Sequence, residues 1–280
     1  MRIAIQGETG SFSEEAALRL FPRAQILPCA TFADAFDRLT AGRAGRALIP
    51  IENSLAGAVS ESYDLLRLQP VRIVGEVQIR IEHNLIAPPG VGLNQIRRVL
   101  SHPVALQQCR RFLQRHRRWQ PVPFYDTAGS VKHLMEAGAQ DAAAIAGRRA
   151  AQVYGARLLA TGIEDNQQNY TRFFLLNRAG GAASSLAAPP EANKISIVFL
   201  APNQPGALFK CLAVFALRDI DLTRIESRPI PGRPWEYSFY VDFRGNLRQK
   251  TTRNALRHLE EISDSLKILG CYRTSNKTLA

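Results

Sequence analysis

The sequence predicts an α/β chain: a two-lobed domain with a cleft, followed by a smaller ferredoxin-like βαββαβ domain. Three observations predict it. Short apolar runs alternate with amphipathic helical segments up to residue 178, the mark of repeated βα units. A small, flexible, proline-ended stretch, "AGGAASSLAAPPEA" at 179–192, then interrupts the pattern. Beyond it the order of elements changes to βαββαβ.

The first block opens with the strand "RIAIQ" (2–6). "GETGSFS" turns it into a helix at 13–21, with Ser11 and Glu14 at capping-box spacing. "AQILP" (24–28) is a second strand, and Thr31 with Asp34 opens a helix to residue 41. "RALIPI" (46–51) is a third strand, followed by "ENSLAG" and a helix over 58–69. The β-prone run "VRIVGEVQIRIEHNLIA" (71–87) crosses between lobes. The alternation then restarts with the strand "RRVLS" (97–101). "HPVALQQCRRFLQRH" reads as one helix with Pro103 in its first turn. "QPVPFY" (120–125) is a strand, and "DTAGSVKHLMEAG" is a helix capped by its Asp or Thr. "DAAAIAG" (141–147) is a short buried strand, and "RRAAQVYG" a helix closing at Gly155. The chain returns through "ARLLATGIED" to the strand "TRFFLL".

The boundaries follow. The first domain spans 1–178, with lobe one over 1–76 plus 161–178 and lobe two over 77–160. Parallel sheets with helices on both faces are expected in each lobe. The linker is 179–192 and the second domain 193–275. That domain has strands at 194–201, 222–230, 236–245 and 266–273. Its helices lie in "QPGALFKCLAVFALRD" and "QKTTRNALRHLEEIS".

Composition narrows the function classes. At 46% hydrophobic and 21% charged, the chain has a soluble globular profile. No apolar run reaches the roughly 18 residues a membrane span needs. The N-terminal residues read as a strand and not as a signal peptide, so a cytoplasmic location is expected. Cysteines 29, 109, 211 and 271 and histidines 83, 102, 116, 133 and 258 lack metal-ligand spacing, so no metal is expected. The net charge of +12 attracts anions, either nucleic acid or small carboxylates. The densest basic run, "RRFLQRHRR" at 110–118, has the helical spacing of a solvated face and matches no nucleic-acid motif. No nucleic-acid partner is expected.

Five polar clusters fall at the carboxyl ends of strands or on the return crossing, where α/β folds bind ligands. They are "GETGSFS" (7–13), "IENSLAG" (51–57), "SHPVALQQC" (101–109), "DTAGS" (126–130) and "NYTRF" (169–173). Glycines permit close backbone approach, and hydroxyls and helix N-terminal amides offer donors to anions. Singly, each reads as a cap or a turn: a serine before a helix, Asn53 in a loop, His102 on the surface. Together they point to one cleft.

These clusters, with "AAIAGRRAAQVYG" and "IEDNQQNYTRF", resemble those of the prephenate dehydratases. The second domain resembles an ACT domain, through "PGALFKCLAVF" (205–215) and "IESRPI" (225–230). The resemblance covers nearly all of the chain except the linker. Two departures stand out. "GET" occurs where family members often carry a proline after the first glycine, and "AGSV" (128–131) where alanines are commoner. No chorismate mutase or dehydrogenase block accompanies the match, so the monofunctional form is expected.

The resemblance implies a type II periplasmic-binding-protein-like catalytic domain with an ACT regulatory domain behind it. It implies a carbon–oxygen lyase that converts prephenate to phenylpyruvate by loss of carbon dioxide and water. Aromatisation drives that reaction, so no cofactor is expected. The protein must hold two carboxylates and assist departure of a ring hydroxyl by a proton or a strong hydrogen bond. By resemblance, Thr171 makes that contact, with Asn53 and Gln108 in the catalytic set. Arg172 forks onto a carboxylate, Phe173 packs beneath the ring, and Ser54 orients the substrate. Glu52 anchors from behind, Ser101 and His102 take a carboxylate, and Thr127 and Ser11 complete the substrate pocket. In the ACT domain, Asn203, Pro205, Gly206, Ala207 and Leu208 hold the carboxylate of phenylalanine at a helix start. Glu226 meets its ammonium, and Ser227, Arg228 and Pro229 shape a site between subunits. Feedback inhibition and a homodimer or homotetramer follow from that site. Arogenate as substrate, or a non-catalytic cytosolic amino-acid sensor, are the alternatives left open.

Overall fold

The computed structural model describes residues 1–180 and 189–274. Most of the expected linker and residue 275, the expected end of the second domain, lie outside the described residues.

Lobe one is built from β1 (Arg2–Gln6), α1 (Phe12–Leu20), β2 (Gln25–Cys29), α2 (Phe32–Thr40), β3 (Arg46–Asn53), the short β4 (Gly57–Ala58), α3 (Ser60–Leu68) and β5 (Val71–Arg80). Lobe two follows with β6 (Asn84–Ala87), β7 (Arg98–Ser101), α4 (Pro103–Gln108), α5 (Arg110–Arg115), β8 (Gln120–Pro123), α6 (Thr127–Glu136), β9 (Ala142–Ala146), α7 (Arg148–Tyr154) and β10 (Arg157–Ala160). The chain then returns to lobe one as β11 (Tyr170–Arg178). The sheet orders are β2-β1-β3-β11-β5 and β10-β6-β9-β7-β8. Insertion of the returning strand between β3 and β5 is the type II periplasmic-binding-protein-like arrangement.

Local chemistry sets the boundaries. Ser11 Oγ accepts from the Glu14 amide at 3.3 Å, starting α1. Thr31 and Asp34 complete a capping box at α2. Asp126 Oδ1 accepts from Gly129 N at 2.7 Å and starts α6. At the end of α7, Gly155 turns the chain with a φ of 67°, a conformation that favours glycine.

Three features differ from the sequence expectation. The sheets are mixed: β11 runs antiparallel to both β3 and β5, and β6 antiparallel to β9 and β10. Each is a strand entering from a crossing, so it arrives in the opposite sense to the βα strands. The helix expected over 102–116 is split at Cys109 into α4 and α5. Asp165, on the return crossing, causes the break. Its amide donates to Gln108 O at 2.7 Å, and its carboxylate accepts from Arg111 N at 3.0 Å. The lobe boundary lies later than 76, because β5 stays paired with β11 as far as Arg80. Residues 81–83 therefore make the first crossing and 161–169 the second.

The C-terminal unit comprises β12 (Lys194–Leu200), α8 (Ala207–Ala216), β13 (Leu222–Ile230), β14 (Arg233–Arg244), α9 (Lys250–Ile262) and β15 (Ser265–Tyr272), with sheet order β13-β14-β12-β15. One face of this sheet packs on α8 and α9 through Ile195, Ile197, Phe199, Phe215 and Phe243. The other face joins the core of lobe one through Val198, Tyr240, Leu269 and Tyr272. Burying each such side chain contributes roughly 1.5–3 kcal/mol. A Cβ on Gly270 would collide with the backbone of Ile73, so glycine is required where β15 crosses β5. Lys267 Nζ donates to the carbonyls of Leu66, Arg67 and Gln69, each at 2.9 Å, and so closes the C-terminal end of α3.

Candidate active site

Between the lobes lies a cavity of about 340 Å³. Six of the expected residues border it: Asn53, His102, Gln108, Thr127, Thr171 and Phe173. Asn53 comes from the end of β3, Gln108 from the end of α4, Thr127 from the start of α6, and Thr171 and Phe173 from β11. Phe12, Ser13, Val59 and His83 also line it and were not singled out from the sequence. Phe12 and Ser13 lie inside the "GETGSFS" cluster, of which only Ser11 was named as a pocket residue. His83 carried no local signal beyond being a polar residue in a β-prone run.

Asn53 is the hub. Its Oδ1 accepts from the amides of Leu55 and Ala56 at 3.0 and 2.9 Å. Its Nδ2 donates to Asn169 Oδ1 at 2.7 Å, to Tyr170 O at 3.2 Å and to Thr171 Oγ1 at 3.0 Å. Because Thr171 Oγ1 receives that bond, its own hydrogen remains for a partner in the cavity. Phe173 is buried and supplies an apolar wall. The cavity lining contains no Asp, Glu, Lys or Arg. Donors to an anion are therefore hydroxyls, amides, the His102 ring and the first turns of α1 and α6.

Arg172 faces elsewhere, contrary to the expectation that it holds a substrate carboxylate. It is 8% exposed, and its guanidinium meets Asp242 at 2.8 Å, Glu52 at 3.3 Å and Glu76 at 3.4 Å. The reason is strand geometry: Thr171 and Phe173 point to one face of β11 and Arg172 to the other. Glu52 diverges from Asn53 for the same reason and pairs with Arg172 and Arg224 outside the cavity. Ser54 bridges the return crossing, donating to Gln168 O at 2.9 Å and accepting from Tyr170 N at 3.0 Å. Ser101 is buried and donates to Ile145 O at 2.6 Å. Ser11 is occupied as the α1 cap. His102 borders the cavity while its Nδ1 accepts from Val104 N at 3.3 Å.

The two departures in the motifs meet at the rim. A Cβ on Gly129 would lie 2.7 Å from Tyr125 Oη, so glycine leaves room for that ring. Tyr125 donates to Glu8 at 2.9 Å and Lys132 pairs with Glu8 at 3.1 Å, tying lobe two to lobe one. Tyr154 adds a bond to Thr9 O at 2.8 Å, and Arg149 pairs with Glu14 at 2.8 Å.

The residues expected to hold phenylalanine separate within one chain. Asn203, Ala207 and Leu208 border a cavity of about 160 Å³ together with Trp235 and Tyr237. Pro205 is exposed just before the helix, and Gly206 caps α8 with a φ of 77°. Glu226 pairs with Arg224 at 3.4 Å. Arg228, expected at a subunit interface, bonds Ser60 and Asp64 of lobe one at 2.8 and 3.1 Å. Ser227 and Pro229 point outward from the edge strand β13.

Comparison with known proteins agrees with this architecture. Residues 3–180 match the model of the prephenate dehydratase family, and residues 195–261 match the ACT domain. The chain is 42% identical over 281 aligned residues to arogenate dehydratase/prephenate dehydratase 2 of Arabidopsis thaliana, covering 97% of this chain and 72% of that protein. Its structure is similar to the prephenate dehydratase of Arthrobacter aurescens solved in complex with L-Phe. The TM-score is 0.89 at 35% identity, over 100% of this chain and 92% of that one. A protein described as GqqA, a novel type of quorum quenching acylase, is equally similar in fold. Its TM-score is 0.89 at 34% identity, over 99% of both chains. The chain belongs to the prephenate dehydratase family, a family of lyase-type dehydratases, and carries an ACT domain at its C-terminal side.

Proposed function

We propose that this chain is a prephenate dehydratase, converting prephenate to phenylpyruvate with loss of carbon dioxide and water. The observation that carries this reading is the composition of the cavity wall: a threonine hydroxyl with a free hydrogen and no carboxylate. Prephenate bears a keto group where arogenate bears an ammonium. A buried ammonium needs a counter-ion, and this lining offers none among the described residues. In the proposed reaction, the carboxylates are held by the first turns of α1 and α6 and by Gln108. Phe173 packs against the ring. Thr171 donates to the departing hydroxyl oxygen as the carbon–oxygen bond breaks. The electron pair released by decarboxylation completes the aromatic ring, and the leaving hydroxide takes up a proton from solvent to become water. A threonine is a weak acid, so its share is a directed hydrogen bond that strengthens as charge develops.

Arogenate is the second reading, favoured by the relative named for both acids. A direct assay separates the two: purified protein with prephenate, then with arogenate, following the aromatic product. Turnover of arogenate alone would overturn the first reading. Turnover of neither, with binding intact, would support a non-catalytic sensor.

The proposal extends to regulation. Phenylalanine binds the ACT domain, with a second copy of the chain completing the site, and lowers activity by favouring one arrangement of the subunits. The cavity at Asn203, Ala207 and Leu208 and the exposed apolar Phe209, Ile225 and Trp235 support this. Calorimetry of the intact protein is expected to show phenylalanine binding. Silence up to millimolar concentration would remove the sensor role.

A further inference from the structure

The amides in the cavity wall can each be oriented, starting from two backbone N–H groups. Leu55 N and Ala56 N donate to Asn53, so the atom facing them must be oxygen. Asn53 Nδ2 then faces Thr171, as described. Gln108 sits beside Asn53 Oδ1 at 3.3 Å and must present its nitrogen there. Its Oε1 consequently faces Asn169 Nδ2 at 3.0 Å and His83 Nε2 at 2.9 Å. An acceptor opposite Nε2 requires a proton on Nε2.

The donors therefore all point one way. His83 Nε2–H gives to Gln108, Gln108 to Asn53, Asn53 to Thr171 Oγ1, and Thr171 has its own hydrogen left for the cavity. A chain of bonds in one direction polarises each successive donor. It also decides what Gln108 shows to an anion. With Oε1 turned to His83, its second N–H is left for a carboxylate. Reversed, Gln108 would set a lone pair against Asn53 Oδ1 and against the substrate.

His83 is built to serve as the fixed end. It is 2% exposed, and its Nδ1 has no partner among the described residues. Its backbone is pinned on both sides: His83 N donates to Glu164 Oε2 at 3.0 Å, and Ile163 N donates to His83 O at 3.0 Å. Phe12 packs edge-on to the ring at 5.8 Å. Burial lowers the imidazole pKa, outweighing the Gln108 bond and Glu164, so the ring is neutral.

We propose that His83 is a positioning residue of the dehydratase, which acts through Gln108 and Asn53 to keep the Thr171 hydrogen directed at the departing oxygen. The inference rests on the reading of Thr171 as donor, and one of its tests is independent of that reading. Nitrogen-15 spectra of the full chain labelled at histidine are expected to show His83 neutral with the proton on Nε2. A proton on Nδ1, or an imidazolium at neutral pH, overturns the proposal whatever Thr171 does. Kinetics with whichever acid the wild type turns over supply the second test. His83→Gln keeps an N–H near the Nε2 position, whereas His83→Asn keeps one only near Nδ1. The Asn variant is expected to lose about tenfold in kcat with KM little changed, about 1.4 kcal/mol of barrier, and the Gln variant to recover most of it. Equal losses in both, or the reverse order, overturn it. Should either variant fail to fold by circular dichroism, the nitrogen-15 result on the wild type decides.

Discussion

Two neighbours on one strand live in opposite surroundings. Thr171 faces a cavity whose lining has no formal charge, while Arg172 faces a seam crowded with charges. In that seam Lys194 also donates to Glu76 at 3.0 and 3.1 Å, and Ser196 donates to Asp242. β3 repeats the division, with Asn53 toward the cavity and Glu52 toward the seam. The comparison teaches that the two faces solve different problems. For the proposed dehydration the cavity needs donors whose direction is set before the substrate arrives, and neutral amides supply them without competing for the anion. The seam must hold the ACT sheet in one register on lobe one. Buried paired charges serve that purpose because mispairing is costly, although the pairs themselves add little net stability. One residue step along β11 therefore leads from the cavity wall at Thr171 to the ACT domain at Arg172.

Arg172→Leu breaks the comparison most severely. It leaves Asp242 and Glu76 buried without their cation, and the unfolding free energy from urea titration is expected to fall by about 3–5 kcal/mol. A fully stable variant with only a raised KM would return Arg172 to the substrate site. Thr171→Ala comes next and acts on the other face. Its kcat is expected to fall about 10²- to 10³-fold at unchanged urea midpoint, while Thr171→Ser keeps most of the activity. A loss below about tenfold, or about 1.4 kcal/mol, would take Thr171 out of the mechanism. Glu52→Gln sharpens the boundary between the faces. The Glu52 side chain is 37% exposed, so solvent screens its pairs and the stability change is expected to stay within about 1 kcal/mol. Turnover is expected to change less than about threefold, and a larger kinetic loss at constant stability would move Glu52 into the cavity's chemistry.

The smallest effect is on pH dependence. Burial holds the folded pKa of His83 below its ordinary 6.5, against the pull of Gln108 and Glu164. As pH falls through about 6.5, the unfolded chain takes up this proton first, so stability declines with falling pH. The decline stops once the folded imidazole also titrates, and above about pH 6.5 the contribution is complete. Urea midpoints at about pH 5 and about pH 7.5 are expected to differ less in His83→Gln than in the wild type.

Much of this was legible in the chain itself. The capping box at Thr31 and Asp34, the turn at Gly155 and the buried run Phe173–Leu176 are local statements, written in residues a few positions apart. The five polar clusters were also visible, and each supplies a side chain that borders the cavity directly: Ser13, Asn53, Gln108, Thr127 and, on the return strand, Thr171. The expectation that Arg172 holds a substrate carboxylate beside Thr171 and Phe173 ran against the period-two rule: a strand cannot send consecutive side chains to one face. The helix break at Cys109 had no local sign, because Asp165 imposes it from a distant segment. His83 was passed over as one of five scattered histidines, since nothing beside it in sequence announces Gln108 or Glu164.

By itself the sequence determined the order of elements, their caps, the two-domain division and the polar segments gathered at strand ends. These depend on backbone propensity and on side chains reaching three or four residues. Only the tertiary structure decided which of two adjacent residues meets the cavity between the lobes, which way each amide is turned, and where the ACT sheet docks. Those outcomes depend on register and on surfaces from distant segments coming together, and no short stretch of chain contains them.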